Sequence, residues 1–179
     1  MSDNPLVTVI CLCYNHEAYV VESLNAVLNQ FYSPIQLIIV DDFSTDNSKA
    51  IIEDWLKQHS SIEFISNDTN LGNTKSFNKA LKQAAGEYIM DLAADDVLLP
   101  HCVMTQINAF KNSTFKNLGV VYGNAELILE NGSFDSYYFP VNPQNKVIKK
   151  RITGDIYENV LSDFYSMCSV STMIKKSVL

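Results

Sequence analysis

Two aspartates, Asp95 and Asp96, stand side by side in "GEYIMDLAADDVLLP" (residues 86–100), just after an apolar run. A second adjacent pair, Asp41 and Asp42, follows the apolar run "LIIV". Adjacent carboxylates repel each other, so two such pairs meeting in one crevice would need a cation to offset their charge. Ligand sets made of oxygen favour Mg²⁺, Mn²⁺ or Ca²⁺ over Zn²⁺, and magnesium-type sites commonly combine one or two carboxylates with substrate phosphates. The acids therefore predict a metal-bound diphosphate.

The elements that would position these acids alternate along the chain. Apolar, β-branched runs predict four buried strands, at "LVTVICLCY", "IQLIIV", "IEFIS" and "EYIMDL". Helical spacing predicts a helix after each strand, at "EAYVVESLNAVLNQ", "STDNSKAIIEDWLKQH", "NTKSFNKALKQAAG" and "PHCVMTQINAFKN". This alternation indicates βαβ units, and so an α/β fold whose mostly parallel sheet is flanked by helices.

Several helix details follow from the same patterns. We expect Ser44 or Asp46 near the cap of the second helix, a left-handed C-cap at Gly86, and Pro100 in the first turn of the fourth helix. In the first helix the apolar residues at helical spacing are Val20, Val21, Leu24, Val27 and Leu28. In the second helix the residues expected to face inward are Ile51, Ile52, Trp55 and Leu56.

The pattern changes after residue 118. "ENGS" separates two strand-like runs in "LGVVYGNAELILENGSFDSYYF", which predicts a hairpin. "DIYENVLSDFY" is typical of a short helix, and "CSVSTMIK" of a final strand. We therefore expect the sheet to become mixed in the C-terminal third of a single domain, residues 1–179.

Polar residues cluster at the predicted strand ends. The four strands exit into Tyr14-Asn15-His16, Asp41-Asp42, "NDTNLGN" and Asp95-Asp96. Any one exit is compatible with a solvated turn, but ligands of open α/β sheets bind beyond the carboxyl ends of the strands. The four exits together predict a binding crevice. The sequence contains neither "GxxxxGK[ST]" nor "GxGxxG" after the first strand, which argues against a P-loop nucleotidase and a dinucleotide dehydrogenase.

Composition narrows the partners. The net charge of −7 argues against nucleic acid, although a divalent metal can mediate binding of another anion. The sequence has no apolar stretch long enough to span a bilayer and no signal-peptide pattern. No pair of the four cysteines has zinc-site spacing, so we expect reduced, mostly buried thiols and a cytoplasmic location.

The segment from Val7 to about Ile107 resembles family 2 glycosyltransferases of the Rossmann-like GT-A fold. The resemblance lies in "VTVICLCYNHEAYVVESLNAVLNQFYSPIQLIIVDDFSTDNS", "NLGNTKSFNKAL" and "GEYIMDLAADDVLLP". It implies transfer of a sugar, with inversion, from a nucleotide-sugar donor, most often a UDP-sugar, assisted by Mn²⁺ or Mg²⁺. It also implies a saccharide or lipid-linked acceptor, a role in bacterial surface polysaccharide synthesis, and peripheral attachment at the inner face of the membrane in some members.

Site residues follow by position. The resemblance implies that Leu12 to Asn15 cradle the base, that Asp42 hydrogen-bonds it, and that the Asn70–Gly72 turn borders base and diphosphate. Asp95 and Asp96 match the DxD region; we assign Asp96 to the metal and Asp95 to the ribose, and the reverse stays open. The implied donor-site residues are Leu12, Cys13, Tyr14, Asn15, Asp42, Asn70, Gly72, Lys75 and Asp95, and the implied metal ligands are Asp96 and Asp95.

The chain departs from the family pattern at several positions. Leu12-Cys13 replaces the usual Pro-Thr. Ala93 replaces an acid, so either metal binding is weaker or it relies on Asp95 and Asp96 together. Phe77 stands where the family often has arginine, and Lys75 is the alternative cation, unless it is a solvated helix lysine. Asp91 lies within the fourth strand with no partner that the sequence identifies.

The expected position of the general base leaves alternative functions open. In the family it lies in an acidic motif after a strand resembling "MCSVSTMIKKSVL", so we expect it beyond Leu179 and interpret the chain as the donor-binding part of a longer enzyme. Asp155, Glu158 and Asp163 are expected to be helix-surface acids. The alternatives are a non-catalytic nucleotide-sugar-binding domain and, less favoured by the order of its acids, a receiver-type signalling module. Tyr137, Tyr138 and Phe139 fit either sugar stacking or strand packing. Oligomeric state leaves no sequence signal.

Overall fold

The computed structural model describes residues 4–148, 154 and 167–179. Four α-helices are present in these ranges: α1 (Val20–Leu28), α2 (Ser48–Leu56), α3 (Asn73–Leu81) and α4 (Cys102–Lys111). The strands are β1 (Val7–Cys13), β2 (Ile35–Asp41), β3 (Glu63–Ser66), β4 (Tyr88–Ala93), β5 (Val120–Tyr122), β6 (Glu126–Ile128), β7 (Phe134–Tyr137) and β8 (Thr172–Lys175).

Six strands form one sheet in the order β3-β2-β1-β4-β8-β5. The pairs among β1 to β4 are parallel, whereas β8 is antiparallel to both β4 and β5. The predicted α/β fold with a sheet that becomes mixed late in the chain is therefore confirmed. β6 and β7 form a separate antiparallel hairpin, as "ENGS" predicts.

The core lies on both faces of this sheet, and β1 at its centre is buried at every position. Val7, Val9, Cys11 and Cys13 belong to the core cluster that packs against α1, α2 and α4. Ile10 and Leu12 alternate with them and belong to the cluster covered by α3. A strand buried on both faces must be apolar throughout, which explains the unbroken run in the sequence. All four cysteines are free, and only Cys102 is partly exposed.

The Gly86 prediction is wrong. α3 ends at Leu81, and the left-handed glycines of the described residues are Gly72, Gly132 and Gly154. Gly86 instead lies against β1: a Cβ there would come within 2.6 Å of the Thr8 nitrogen, and its own N–H donates to Thr8 Oγ1. The position requires glycine for close approach of two backbones rather than for a helix cap.

Other helix details also differ from the prediction. Of the apolar residues at helical spacing in α1, Val20, Leu24 and Val27 are buried, whereas Val21 and Leu28 are exposed. Pro100 precedes α4, which begins at Cys102. The predicted final strand is shorter, because a 3-10 turn at Ser169–Ser171 precedes β8. The helix predicted at "DIYENVLSDFY", with Asp155, Glu158 and Asp163, lies outside the described residues.

Candidate functional site at the carboxyl ends of the strands

The carboxyl ends of β1 to β4 meet at one rim of the sheet. Backbone hydrogen bonds continue the pairing one residue past the strands: Asp42 N–H donates to the Cys13 carbonyl, and Ala94 N–H to the Leu12 carbonyl. Asn67 N–H donates likewise to the Asp41 carbonyl. The four polar exits predicted from the sequence are therefore neighbours.

Asp42 is the hub of this rim. Its Oδ1 accepts hydrogen bonds from Leu71 N–H (2.9 Å), Asn67 Nδ2 (2.7 Å) and Ser76 Oγ (2.8 Å), and its Oδ2 accepts one from Gly72 N–H (2.8 Å). Burial acts to raise the pKa of this carboxyl, but the four donors outweigh burial and hold the pKa below its usual value. Asp42 therefore carries a stable negative charge that fixes the turn before α3.

The backbone conformation of this turn depends on a glycine and on side-chain hydrogen bonds. Gly72 has φ = 80°, in the region that favours glycine, and occupies the N-cap of α3. Asn70 Oδ1 accepts a hydrogen bond from Gly72 N–H. Lys79, one turn along α3 from Lys75, donates to Asn67 Oδ1 at 2.7 Å and so supports the hub from its far side. Lys75 itself is exposed.

The loops after β1 and β2 are joined by hydrogen bonds. Asn15 N–H donates to Ser44 Oγ (3.0 Å), and Asn15 Oδ1 accepts from Thr45 N–H (2.8 Å). Glu17 N–H donates to Asp46 Oδ2, and Glu17 Oε2 accepts from Asn47 N–H (2.8 Å). The predicted Asn15 is thus part of a rigid double loop, in which Asp46 Oδ1 also accepts from Ser48 N–H at the start of α2.

The remaining β1-exit residues differ in exposure. The side chains of Leu12 and Cys13 are buried in opposite core clusters, so only their backbone atoms reach the rim. Tyr14 is 45% exposed. His16, which the sequence named only as part of an exit, donates its N–H to Ser48 Oγ, and its Nδ1 lies 3.6 Å from Asp95 Oδ1.

Three acids lie around the end of β4. Asp95 is half-exposed, whereas Asp96 and Asp91 are more buried. Burial and the Asp95 charge raise the pKa of Asp96, an effect that His16 partly offsets. Burial and the Asp96 charge raise the pKa of Asp91 to about 6, and its Oδ1 has no hydrogen-bond partner among the described residues. The acids destabilise one another as anions, which is the condition that a bound cation relieves.

The protein supplies only part of a ligand set for a divalent metal here. The described residues contain no group of three or more His, Cys, Asp or Glu side chains placed to hold an ion. The adjacent carboxylates of Asp95 and Asp96, whose charges repel each other, nevertheless match magnesium-type binding, in which substrate phosphates complete the ligand set. Sequence reasoning missed Ser76 and Glu17 and named Asn67 only as part of the third strand exit, because the partners of these residues are distant in the chain. Polar residues next to apolar strand ends were the available signal.

Comparison with known proteins identifies the family. The model of the family described as "Glycosyl transferase family 2" matches residues 8–172, and the chain belongs to this family. It is 34% identical over 177 residues to an uncharacterised glycosyltransferase of Methanocaldococcus jannaschii, covering 97% of this chain and 59% of that protein. It is 30% identical over 148 residues to the UDP-Glc:alpha-D-GlcNAc-diphosphoundecaprenol beta-1,3-glucosyltransferase WfgD of Escherichia coli, covering 82% and 56%.

Solved structures agree on the GT-A fold. The mannosyltransferase PcManGT from Pyrobaculum calidifontis, in complex with GDP-Man and Mn²⁺, gives a TM-score of 0.58 at 26% identity and covers 66% of this chain and 35% of that one. S. aureus TarS gives a TM-score of 0.61 at 20% identity and covers 97% and 46%. The chain thus spans about half the length of the curated relatives it matches. None of the described helices is long and apolar enough to cross a membrane.

Proposed function

We propose that this chain binds the donor of an inverting, metal-assisted sugar transfer, with a UDP-sugar as donor and a saccharide or lipid-linked acceptor. The observation that carries the proposal is the rim itself, where Asp42 and the turn it fixes, and the Asp95–Asp96 pair, lie at the carboxyl ends of β2 and β4, the two strands that flank β1. Membership of the glycosyltransferase family supports the reaction class. WfgD, whose name gives UDP-Glc as donor and a diphosphoundecaprenol-linked sugar as acceptor, supports both substrates.

Asp96 and Asp95 would hold Mn²⁺ or Mg²⁺ together with the diphosphate oxygens. The cation would act as a Lewis acid that stabilises the leaving nucleoside diphosphate. The presence of Mn²⁺ beside GDP-Man in PcManGT supports this assignment. We assign Asp96 as the first ligand because it is more buried than Asp95, and burial and the Asp95 charge raise its pKa, so a bound cation would stabilise its ionised form.

The other rim residues would hold the nucleoside. From the described residues, Asp42 Oδ2 accepts one hydrogen bond, so it keeps capacity for a second, which we assign to the imide N–H of uracil. Tyr14, Asn15 and the Asn70–Gly72 turn would border the base, and Lys75 would approach a phosphate. A lipid-linked acceptor would place the protein at the inner face of the membrane, in surface polysaccharide assembly.

Isothermal titration of UDP, with and without MnCl₂, tests the donor site. We expect binding that depends on Mn²⁺ in the wild type and a loss of about tenfold or more in Asp96→Ala, since a charge-paired contact is worth over about 1.4 kcal/mol. Asp135→Ala, which removes an exposed acid from β7, is the matched control and should bind like the wild type. Equal, metal-independent binding by the wild type and Asp96→Ala would contradict the metal assignment.

A further inference from the structure

Three strand exits each present a large apolar side chain to solvent at the rim. Tyr14 follows β1, Phe43 follows β2, and Leu71 follows β3; their exposed fractions are 45%, 48% and 36%. Their backbones are close, because Asp42 beside Phe43 accepts the Leu71 N–H, and Ser44 on its other side accepts the Asn15 N–H. Solvated apolar groups clustered at a predicted ligand site indicate surface that a ligand covers.

Phe43 is the unusual member of this set. Its φ is 65°, in the left-handed region, which it shares among described non-glycine residues with Asn15 and Asn145 only. Asparagine tolerates this region because its short side chain can hydrogen-bond locally, but a bulky aromatic residue there is strained. Glycine would adopt the same backbone without penalty.

The surrounding bonds impose this conformation on Phe43. Asp42 is fixed by its four donors. Ser44 is held by two hydrogen bonds: its N–H donates to Asp41 Oδ2, and its Oγ accepts from Asn15 N–H. The ring does not repay the strain through packing, since about half of it stays exposed. Backbone strain of this kind concentrates at ligand-binding positions.

We propose that Phe43 is the stacking surface for the nucleobase of the donor, and that it thereby sets affinity for the nucleoside part of a nucleoside diphosphate. The inference rests on the proposed function and deepens it at a residue outside the set implied by family resemblance. An aromatic ring on the rim beside Asp42 gives the planar base a face to stack on, while the Asp42 carboxylate meets its edge. The strained backbone keeps the ring outside the core, at the rim, and the base can contact it there.

The test compares two ligands on the full chain in the presence of Mn²⁺. UDP carries a base, and inorganic pyrophosphate offers the same kind of phosphate oxygens without one. We expect Phe43→Gly and Phe43→Leu to weaken UDP binding by about 5- to 100-fold, the range for loss of one base–aromatic stack, and to leave pyrophosphate binding within about twofold. Phe43→Tyr should retain UDP binding. Asn145→Gly, which relieves a left-handed residue outside the rim, should bind both ligands like the wild type.

Thermal unfolding separates stacking from folding. Phe43→Gly removes left-handed strain, so its melting temperature should equal or exceed that of the wild type while its UDP affinity falls. UDP affinity unchanged in both Phe43→Gly and Phe43→Leu overturns the inference, as does a parallel loss of pyrophosphate binding. Failure of the wild type to bind either UDP or GDP with Mn²⁺ overturns the proposed function itself, and the stacking role with it.

Discussion

At the scale of single residues, Asp42 combines a predicted ligand role with a structural one. Replacing it with Asn removes the charge and puts an NH₂ group, which is a donor, in place of one acceptor oxygen. That group would then face hydrogen-bond donors, which are those of Leu71, Gly72, Asn67 or Ser76. We expect Asp42→Asn to cost about 2–4 kcal/mol in the free energy of unfolding, because buried donors lose their acceptor. Urea denaturation measures the cost, and Asp95→Asn is the control, with a change within about 0.5 kcal/mol expected for its exposed carboxyl.

The free energy of unfolding at low pH provides a second test of the charge on Asp42. The folded pKa of this group is lowered, so its contribution is present above the unfolded pKa and is lost as pH falls through the folded value. The free energy of unfolding of the wild type should therefore fall in acid, and Asp42→Asn should reduce that pH dependence. A pH profile of equal slope in both proteins would show that the charge of Asp42 does not stabilise the fold.

Asp91 should show the opposite pH dependence. Its folded pKa is raised to about 6 by burial and by Asp96, so ionisation disfavours the folded state. Its effect on stability is absent below the unfolded pKa and grows as pH rises from about 4 through the folded value. We expect Asp91→Asn to raise the free energy of unfolding by about 1–2 kcal/mol at pH 7.5 and to change little at pH 4. Urea denaturation at both values decides; a larger gain at pH 4 would contradict the assignment.

At the scale of elements, the contact between β1 and the turn before β4 depends on Gly86. Gly86→Ala would place a Cβ 2.6 Å from the Thr8 nitrogen and 2.9 Å from the Tyr88 carbonyl oxygen, both of them backbone atoms that cannot move alone. We expect a loss of about 3 kcal/mol or more, since two central strands must separate. Gly132→Ala is the matched control: it has φ = 78° and open space around it, so about 1 kcal/mol of backbone strain is expected. Comparable losses in the two variants, measured by chemical denaturation, would remove the close-approach argument.

At the scale of the whole molecule, the sequence was sufficient for the parallel half of the sheet and for the position of the rim. Unbroken apolar runs mark β1, β2 and β4, and the alternation with helices forces their carboxyl ends to one edge. The hydrogen-bonded hub was not predictable, because Asn67 and Ser76 lie 25 and 34 residues from Asp42 and their types indicate no particular partner. The insertion of β8 between β4 and β5 was hidden for the same reason, since a short antiparallel strand does not encode its neighbours.

The two sheets should also differ in stability. β6 is exposed at all three positions, and within the described residues the hairpin pairs only with itself, whereas β1 is buried on both faces between β2 and β4. A two-stranded hairpin is marginal alone, so it should open without unfolding the core. We expect its bonded amides, such as Leu129 N–H and Tyr138 N–H, to exchange with deuterium about 100-fold or more faster than that of Ile10. UDP with Mn²⁺ should slow exchange at the Leu71 and Gly72 amides and leave the hairpin unchanged, because only the former adjoin the proposed donor site. Uniform exchange across hairpin and core would instead mean that both sheets unfold as one cooperative unit.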